Sequence, residues 1–319
     1  MLSVPQILVQ RYKSEYKKLW DNFVSQSKNG VFLFYRDYLE YHADRFDDCS
    51  LIFFQGESPI ALLPANRVEN TIISHGGLTF GGIISDARMG TSLMLDVFAA
   101  LIDELRKQGV TKLVYKAIPH MYHLQPAEED LYSLFVHNAR LVRRDVSSAV
   151  IAAHRPTMTH GRKKTLKHAR ALGLKVERSY DFAQFMAIAA ESLNRRHGLR
   201  PVHTADEMQL LASRFPENIK LFALHRGQQM LGGVIIYESQ NVAHGQYRHA
   251  TEEGMDLGAF DCLMDVLMNE VYVNKPYIDF GISMADGGRT LNAGLVRNKE
   301  SYGARTLVYD FYELDIKSQ

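Results

Sequence analysis

Residues 277–310, YIDFGISMADGGRTLNAGLVRNKESYGARTLVYD, carry the pattern that decides the fold of this protein. The apolar run Tyr277–Ile282 predicts a strand, and the glycine-rich sequence Asp286–Gly288 predicts a turn after it. A helix is expected over residues 289–299, and the β-rich run 305–314 predicts a long final strand. This order of strand, turn, helix and strand indicates an α/β fold.

Two features of this segment are not explained by folding alone. Asp279 lies inside an apolar strand, and Arg297, Lys299 and Glu300 crowd the end of a helix that also carries Asn292. A buried charge needs a partner or a chemical role. Asp279 is therefore a candidate base, and a structural ion pair with Lys299 or Arg297 is the alternative.

The bulk composition indicates a globular protein with material for two domains. The chain has 319 residues, of which 46% are apolar and 23% are charged, and its net charge is +1. This balance argues against a dedicated nucleic-acid binder, although a local basic patch is not excluded. Cys49 and Cys262 lie far apart without metal-ligand spacing, so neither a disulfide framework nor a metal site is expected. With no secretion signal and no membrane-length apolar run, a cytoplasmic protein is expected.

The two halves of the sequence share one order of elements. A strand pair around Gly56 recurs around Gly227, 171 positions later, and each pair is followed by a long helix and a further strand. This self-similarity predicts two copies of one α/β unit, with domains at residues 1–153 and 154–319. An accidental match is the alternative, since hairpin, helix and strand often follow one another.

A basic segment separates the two copies. Residues 159–172 predict a helix ended by Gly173, and its cationic side chains are Arg162, Lys163, Lys164, Lys167, His168 and Arg170. A solvated linker helix is one interpretation, because runs of charge are usually exposed. A helix that faces an anion, either a phosphate group or RNA, is the other.

Several motifs, taken in order, resemble the FemAB-like branch of the GNAT acyltransferases. They are the basic helix, the sequence RRHG at 195–198, the second hairpin, and the pair DFGI at 279–282 and KESYG at 299–303. The sequences SHGGLTFGG at 74–82 and LNAGL at 291–295 are similar to GNAT-type proteins found with bacterial polysaccharide-biosynthesis genes. The resemblance extends over nearly the whole chain.

The resemblance implies two tandem GNAT folds, each with a mixed, mostly antiparallel sheet flanked by helices. It implies an N-acyltransferase that moves an acyl group from acyl-CoA to an amine, such as that of an amino sugar or a cell-envelope or polysaccharide precursor. An aminoacyl-tRNA-dependent transferase is the first alternative, which the basic helix favours. A non-catalytic binding protein derived from a GNAT pair is the second, which an acidic donor loop favours.

In this family the acyl donor lies between two splayed strands, with its pyrophosphate on the N–H groups of a helix start. The resemblance places that site in residues 252–260, where the expected donor-binding residues are Gly254, Leu257, Gly258 and Ala259. The acidic side chains of Glu252, Glu253 and Asp256 depart from the usual loop, which carries Arg or Gln and several glycines. A plain strand-to-helix connection is the alternative.

The expected catalytic residues are Asp279 as base, Tyr247 as proton donor to the leaving thiolate, and Lys299. The resemblance implies that Lys299 holds a phosphate or carboxylate or stabilises the oxyanion, and a favourable charge at a helix end is the alternative. The residues expected to contact substrate are His75, His244, Arg289 and Asn292. Strict strand alternation predicts Tyr247 and His249 on one face and His244 on the other.

Overall fold

The computed structural model describes residues 7–154 and 157–317, apart from the side chain of His197. Expectations about residues 1–6 and about the start of the linker at 155–156 lie outside these ranges. The chain divides into two compact units. The first unit is Met1–Asp145, Asp286–Arg289 and Val308–Gln319, and the second is Val146–Ala285 and Thr290–Leu307. The expected domain limits stay a prediction, and packing groups the last twelve residues with the first unit.

The first unit contains two small sheets and one long helix. One sheet has the strand order β1–β3–β4–β7, and the other has the order β2–β5–β6–β8 with the end of β17 beside β8. Its elements are β1 (Ile7–Arg11), α1 (Lys17–Gln26), α2 (Arg36–Leu39), β2 (Asp47–Asp48), β3 (Leu51–Gln55), β4 (Ser58–Leu63), β5 (Asn66–Val68), β6 (Thr71–Ile73), β7 (Ile84–Ser85), α3 (Thr91–Lys107), β8 (Lys112–Lys116), α4 (Glu129–Val136) and the first half of β9 (Arg140–Ile151).

The core of the first unit forms around α3. Val97, Leu101 and Leu105 recur at helical spacing and are all buried against the strands. A full apolar stripe of this kind is what stabilises a helix in a globular protein. The hairpin of β3 and β4 turns at Gly56, which has a φ of 63°. Because this is the left-handed region, glycine is the residue best suited to the turn.

The second unit is a six-stranded sheet with helices on both faces. Its strand order is β10–β11–β12–β13–β14–β9, antiparallel except for the pair β13 and β14. Its elements are α5 (His160–Ala171), β10 (Lys175–Ser179), α6 (Phe182–His197), α7 (Ala205–Arg214), β11 (Ile219–Arg226), β12 (Gln229–Glu238), β13 (Val242–Ala250), α8 (Glu252–Asp256), α9 (Ala259–Val266) with a wider turn at Leu267–Val271, β14 (Tyr277–Ile282), β15 (Met284–Ala285), β16 (Thr290–Leu291), α10 (Ala293–Glu300) and the first part of β17 (Arg305–Asp315).

The two faces of this sheet are covered differently. On one face, side chains of β12 and β13 join those of α9 in the main core of the unit. On the other face, Tyr237 contacts Met208 of α7, and His249 contacts Phe185 of α6. The sheet is therefore buried on both sides, which explains the nearly continuous apolar sequence of β12.

Most predicted elements are present, and the predicted start of the helix near residue 289 was wrong. The helix expected over 289–299 begins at Ala293, because Asn292 caps it and Gly287 and Gly288 adopt positive φ. The helix α9 begins at Ala259, after Gly258, whose φ is 82°. The helix α2 has only four residues, and Tyr35 before it is extended. Thr204 and Glu207 form a capping box at the start of α7.

No helix in the described ranges is long and apolar enough to cross a bilayer. Cys49 and Cys262 are both buried and carry free thiols.

A buried carboxyl group in the first unit gives a pH-dependent stability. Asp130 is almost fully buried, and its Oδ2 accepts a hydrogen bond of 2.5 Å from the Tyr115 hydroxyl. Burial is the main cause that raises the pKa of Asp130 to about 6. The protonated form is therefore favoured in the folded state, and its ionisation above this pKa weakens the fold.

Relative to Asp130→Asn, the wild-type protein is expected to lose about 3 kcal/mol of unfolding free energy as the pH rises from about 4 to 7. The loss occurs because the folded state binds the Asp130 proton more tightly than the unfolded state does. Urea denaturation of both proteins across this range measures the difference. Asp103→Asn, which removes an exposed carboxylate, should follow the wild type, and parallel curves for all three proteins would contradict the prediction.

Candidate active site

An opening forms where β13 and β14 separate. These parallel strands pair only over Val242–His244 and Tyr277–Asp279. Beyond that point β14 changes register against β9, and Gly281 adopts a φ of 75°. The ladder between β13 and β14 therefore ends at His244 and Asp279, and the splayed strand pair expected for a GNAT donor site is present.

His244 and Asp279 form a hydrogen-bonded dyad at this opening. His244 Nδ1 donates to Asp279 Oδ2 at 2.7 Å. The other oxygen, Oδ1, accepts from Ser147 Oγ at 2.7 Å and from the backbone N–H of Gly281 at 3.1 Å. Asp279 is thus the buried partner whose hydrogen bonds orient the imidazole ring.

The dyad gives His244 the geometry of a general base. A carboxylate bound to Nδ1–H fixes the ring tautomer and leaves Nε2 as the acceptor. The side chain of His244 is 15% exposed, and no hydrogen bond within the described residues occupies its Nε2. Asp279 is fully buried, so the ring reaches a substrate more readily than the carboxylate does. Glycine at position 281 leaves room for the imidazole ring, because a Cβ there would lie 3.3 Å from His244 Cε1.

The expected division of β13 into two faces was wrong for His244. Gly245 pairs with Ile236 and Tyr247 pairs with Ile235, so Gln246 is an extra residue in the strand. A β-bulge of this kind reverses the alternation of side chains beyond it. His244, Tyr247 and His249 consequently share the face of the sheet that α6 and α7 cover.

Tyr247 is bound to a histidine outside the dyad. Its hydroxyl lies 2.7 Å from His203 Nδ1 and accepts a hydrogen bond of 3.2 Å from the His203 backbone N–H. Burial raises the pKa of Tyr247, which makes its hydroxyl a weaker acid. The role of Tyr247 as proton donor stays a prediction. Burial also lowers the pKa of His249 to about 4, so that this ring is neutral at pH 7.

A cleft of about 650 Å³ lies between α6 and α7 in the second unit. His203 connects it to the sheet, because this residue lines the cleft and contacts Tyr247. Its volume is within the usual range for small-molecule sites. The other lining residues are Ala183, Met186, Ala187, Ala190, Glu191, Asn194, Arg200, Pro201, Thr204 and Ala205.

Lys299 fastens the end of β14. Its Nζ donates to Gly281 O at 2.6 Å, to Ile282 O at 2.9 Å and to Ser283 Oγ at 2.8 Å. These three acceptors use all of its N–H groups, and burial lowers the pKa of Lys299 to about 8. Asp279 pairs with His244 at 2.7 Å, and its charge also acts on Lys299, so the structural ion pair considered for Asp279 stays an alternative. The predicted part of Lys299 in catalysis stays a prediction.

The acidic residues of the donor loop are engaged by arginines. Glu252 forms an ion pair of 3.0 Å with Arg195, and Glu253 pairs with Arg226. Their charges are thereby partly compensated, which removes much of the repulsion expected toward a pyrophosphate. Asp256 is exposed.

The two glycines of the donor loop have packing roles. A Cβ at Gly254 would collide with the carbonyl oxygen of Leu231, and one at Gly258 would lie 2.7 Å from Thr165 Cγ2 of α5. Leu257 packs against the core of the unit, and Ala259 belongs to it. Close packing accounts for these small residues, and their contact with a donor stays a prediction.

The basic helix α5 is partly structural and partly a free surface. Arg162 and Arg170 pair with Asp261 and Asp265 of α9, which fixes the two helices together. The side chains of Lys163, Lys164 and Lys167 are exposed. The exposed lysines fit a solvated helix and an anion-facing helix equally, so the choice between these interpretations stays a prediction.

The other residues predicted to contact substrate have structural surroundings of their own. His75 is buried with a φ of 55°, and burial lowers its pKa to about 3. Arg289 is exposed in the loop before β16. Asn292 Oδ1 accepts a hydrogen bond of 3.0 Å from Leu295 N–H, which caps α10. Their predicted contacts with substrate stay predictions.

Three residues in this part of the fold were not predicted from the sequence. Ser147 and His203 lie far along the chain from the residues they contact, and Arg248 lies next to the expected Tyr247. In the sequence, Arg248 is visible only as an arginine within a strand. Its apolar neighbours come close to it only in the folded protein.

Comparison with known proteins agrees with this architecture. Residues 152–287 match the acetyltransferase (GNAT) domain model. The structure of FemX is similar over 97% of both chains, with a TM-score of 0.67 and 10% identity. The C-terminal domain of a putative lysylphosphatidylglycerol synthetase from Agrobacterium fabrum is similar over 95% of this chain and 92% of its own, with a TM-score of 0.62 and 11% identity.

A tandem GNAT protein from the clavulanic acid biosynthesis pathway is also similar, over 98% of this chain and 99% of its own, with a TM-score of 0.51 and 8% identity. At these identities the likeness concerns the fold, and the expected tandem GNAT fold is confirmed. A search of curated proteins finds no match to the sequence.

Proposed function

From the match of residues 152–287 to the acetyltransferase (GNAT) domain model, and from a fold similar to that of FemX, we propose that this chain transfers an acyl group from acyl-CoA to an amine. The dyad of His244 and Asp279 at the opening between β13 and β14 carries this proposal. An amino sugar or another cell-envelope or polysaccharide precursor is the proposed acceptor.

In the proposed reaction, His244 Nε2 removes a proton from the acceptor amine. The nitrogen attacks the thioester carbonyl, the new C–N bond forms, and the C–S bond then breaks. The departing CoA thiolate takes a proton for which the Tyr247 hydroxyl is the predicted donor. The Tyr247 phenolate regains a proton from water, and the His244 imidazolium releases the amine proton to water. Asp279 stabilises the imidazolium during this sequence and acts as a positioning residue.

The cleft between α6 and α7 is the proposed acceptor site. It lies on the face of the sheet that also presents His244. Glu191 supplies a carboxylate for an ammonium group, while Asn194 and Thr204 supply hydrogen-bonding groups for hydroxyls. Small side chains such as Ala187 and Ala190 leave room for a sugar-sized molecule.

An aminoacyl-tRNA is the second candidate donor, and one observation favours it. Lys163, Lys164 and Lys167 form an exposed cationic surface on α5, which suits contacts with a phosphate backbone. Binding through such a surface would weaken steeply with added salt.

Thermal unfolding of the purified protein with CoA thioesters or with aminoacyl-tRNA tests the choice of donor. A ligand at about 100 times its Kd should add about 2.7 kcal/mol of stability. We expect stabilisation by acyl-CoA, followed by release of free CoA when amino sugars are added. The opposite result is a response to aminoacyl-tRNA alone, with an effect lost at high salt and in a variant with Lys163, Lys164 and Lys167 changed to Gln. In that case aminoacyl-tRNA replaces acyl-CoA as the donor.

A further inference from the structure

Arg248 is a half-buried cation on the opposite face of β13 from His244. Its guanidinium carbon lies 5.1 Å from the ring centroid of Phe260 and 5.4 Å from that of Phe280. The residue is partly exposed, but its Nη1 atom is buried and has no hydrogen-bond partner among the described residues. Such an arrangement orients the guanidinium without neutralising it.

The charges around Arg248 do not compensate it. Arg162 lies over the ring of Tyr302 at 4.5 Å, and the charge of Arg248 is one of the causes that lower the pKa of Lys299. The carboxylate of Asp261, which acts on the nearby Tyr302, is bound by Arg162 at 3.3 Å. Burial and the charge of Arg162 lower the pKa of Arg248. A buried guanidinium without a carboxylate is costly, which indicates that an anion from outside completes the group.

The position of Arg248 identifies the part of a substrate that it would meet. Phe260, which stacks against it, lies in the first turn of α9, and Gly258 begins that helix without a side-chain cap. The N–H groups of a helix start favour an anion. Arg248 also follows the point at which β13 and β14 separate.

We propose that Arg248 binds a phosphate group of the acyl donor. This inference rests on the proposed function. Arg248, which lies on a strand, would supply the positive charge that the acidic loop 252–256 lacks. A donor held here would pass from the α9 face through the opening between β13 and β14, so that its acyl group reaches His244 on the other face. The pyrophosphate of CoA and the phosphodiester at the 3′ end of a tRNA both carry the anionic phosphate oxygens that Arg248 would bind.

Binding of inorganic pyrophosphate to the wild type, Arg248→Met and Arg248→Lys tests the inference by calorimetry at low salt. Arg248→Met should weaken binding about 10- to 100-fold, and Arg248→Lys should weaken it less. Arg178→Met is the matched control, because Arg178 also lies over aromatic rings in the second unit. It should leave the affinity unchanged.

Thermal unfolding without added anion separates a ligand-binding arginine from a structural one. Arg248→Met should unfold at the same temperature as the wild type or higher, because it removes a buried charge without a counter-ion. Arg178→Met should unfold at a lower temperature, since Arg178 donates to the carbonyls of Ile219 and Leu221. A large fall for Arg248→Met together with unchanged pyrophosphate binding would overturn the inference.

The same variants distinguish this inference from the proposed function. Absence of pyrophosphate binding by the wild type would overturn the inference. Acyl transfer from acyl-CoA with the same KM in the wild type and Arg248→Met would overturn the inference and leave the proposed function standing. If Arg248-dependent binding of pyrophosphate is found without turnover of any acyl-CoA, the phosphate site stands and acyl-CoA is not the donor. An RNA oligonucleotide ending in CCA, compared with CoA, then identifies the source of the phosphate.

Discussion

His244→Gln is expected to lower kcat for acyl transfer by about 10²- to 10⁴-fold, the usual contribution of a general base. Glutamine keeps a polar side chain of similar reach but cannot accept the proton from the amine. The fold should be retained, because the ring is partly exposed and bonded only through Nδ1. Initial rates at saturating donor and acceptor, with circular dichroism to verify folding, measure the effect.

Asp279→Asn should produce a loss of similar size, although Asp279 does not itself face the substrate. An amide in place of the carboxylate removes the charge that stabilises the imidazolium and no longer fixes the tautomer. Because the two residues act as one unit, the double variant should be about as slow as the slower single variant. Multiplicative losses would show that they act independently.

His225→Gln is the control for these variants. His225 is a half-buried histidine on β11 near Glu177, away from the opening, so its replacement should leave kcat near the wild-type value. A wild-type kcat for His244→Gln would remove this residue from the proposed mechanism. Asp279 and Tyr247 would then be the remaining candidates for proton transfer.

Lys299→Met is expected to lower the unfolding free energy by about 3 kcal/mol at pH 7. The methionine fills most of the volume but leaves the acceptors of Gly281, Ile282 and Ser283 without their donor, and each such loss costs about 1–3 kcal/mol. Relief of a buried charge offsets part of this cost. Chemical denaturation monitored by fluorescence and circular dichroism measures the change.

Two further variants make this prediction specific. Ser283→Ala removes one of the three partners, so it should cost about 1 kcal/mol. Lys163→Met removes an exposed lysine and should change stability by less than about 0.5 kcal/mol. A Lys299→Met protein as stable as Lys163→Met would show that Lys299 does not fasten β14.

The pH dependence of stability gives an independent measure of Lys299. Its pKa is about 8 in the folded protein and 10.5 when unperturbed, so the unfolded state binds the proton more tightly. The wild type should therefore gain stability relative to Lys299→Met as the pH rises from about 7 to 10.5, by about 3 kcal/mol. A difference that does not change with pH would show that burial does not perturb this amine.

Kinetics of the folded Lys299→Met protein distinguish the structural role of Lys299 at the end of β14 from its predicted catalytic role. A moderate change in kcat is expected if Lys299 acts only by holding the carbonyls of Gly281 and Ile282. A loss as large as that of His244→Gln, in a fully folded variant, would support direct stabilisation of the oxyanion.

The sequence by itself determined the elements whose pattern is local. The two hairpins turn at Gly56 and Gly227 as predicted, because positive φ at these positions favours glycine. The capping box at Thr204 depends on two side chains three residues apart, and the helix α3 depends on one apolar stripe. The unusual charge at Asp279 was also visible in sequence, since it interrupts an apolar strand.

Only the tertiary structure decided how these elements meet. The bulge at Gln246 turned His244 to the face of Tyr247, and strict alternation could not predict an extra residue. The partner of Asp279 lies 35 positions away, and its second partner, Ser147, lies 132 positions away. Strand register sets such contacts, and register depends on the packing of the whole sheet. For the same physical reason, the unpaired charge of Arg248 became visible only after its neighbours in space were known.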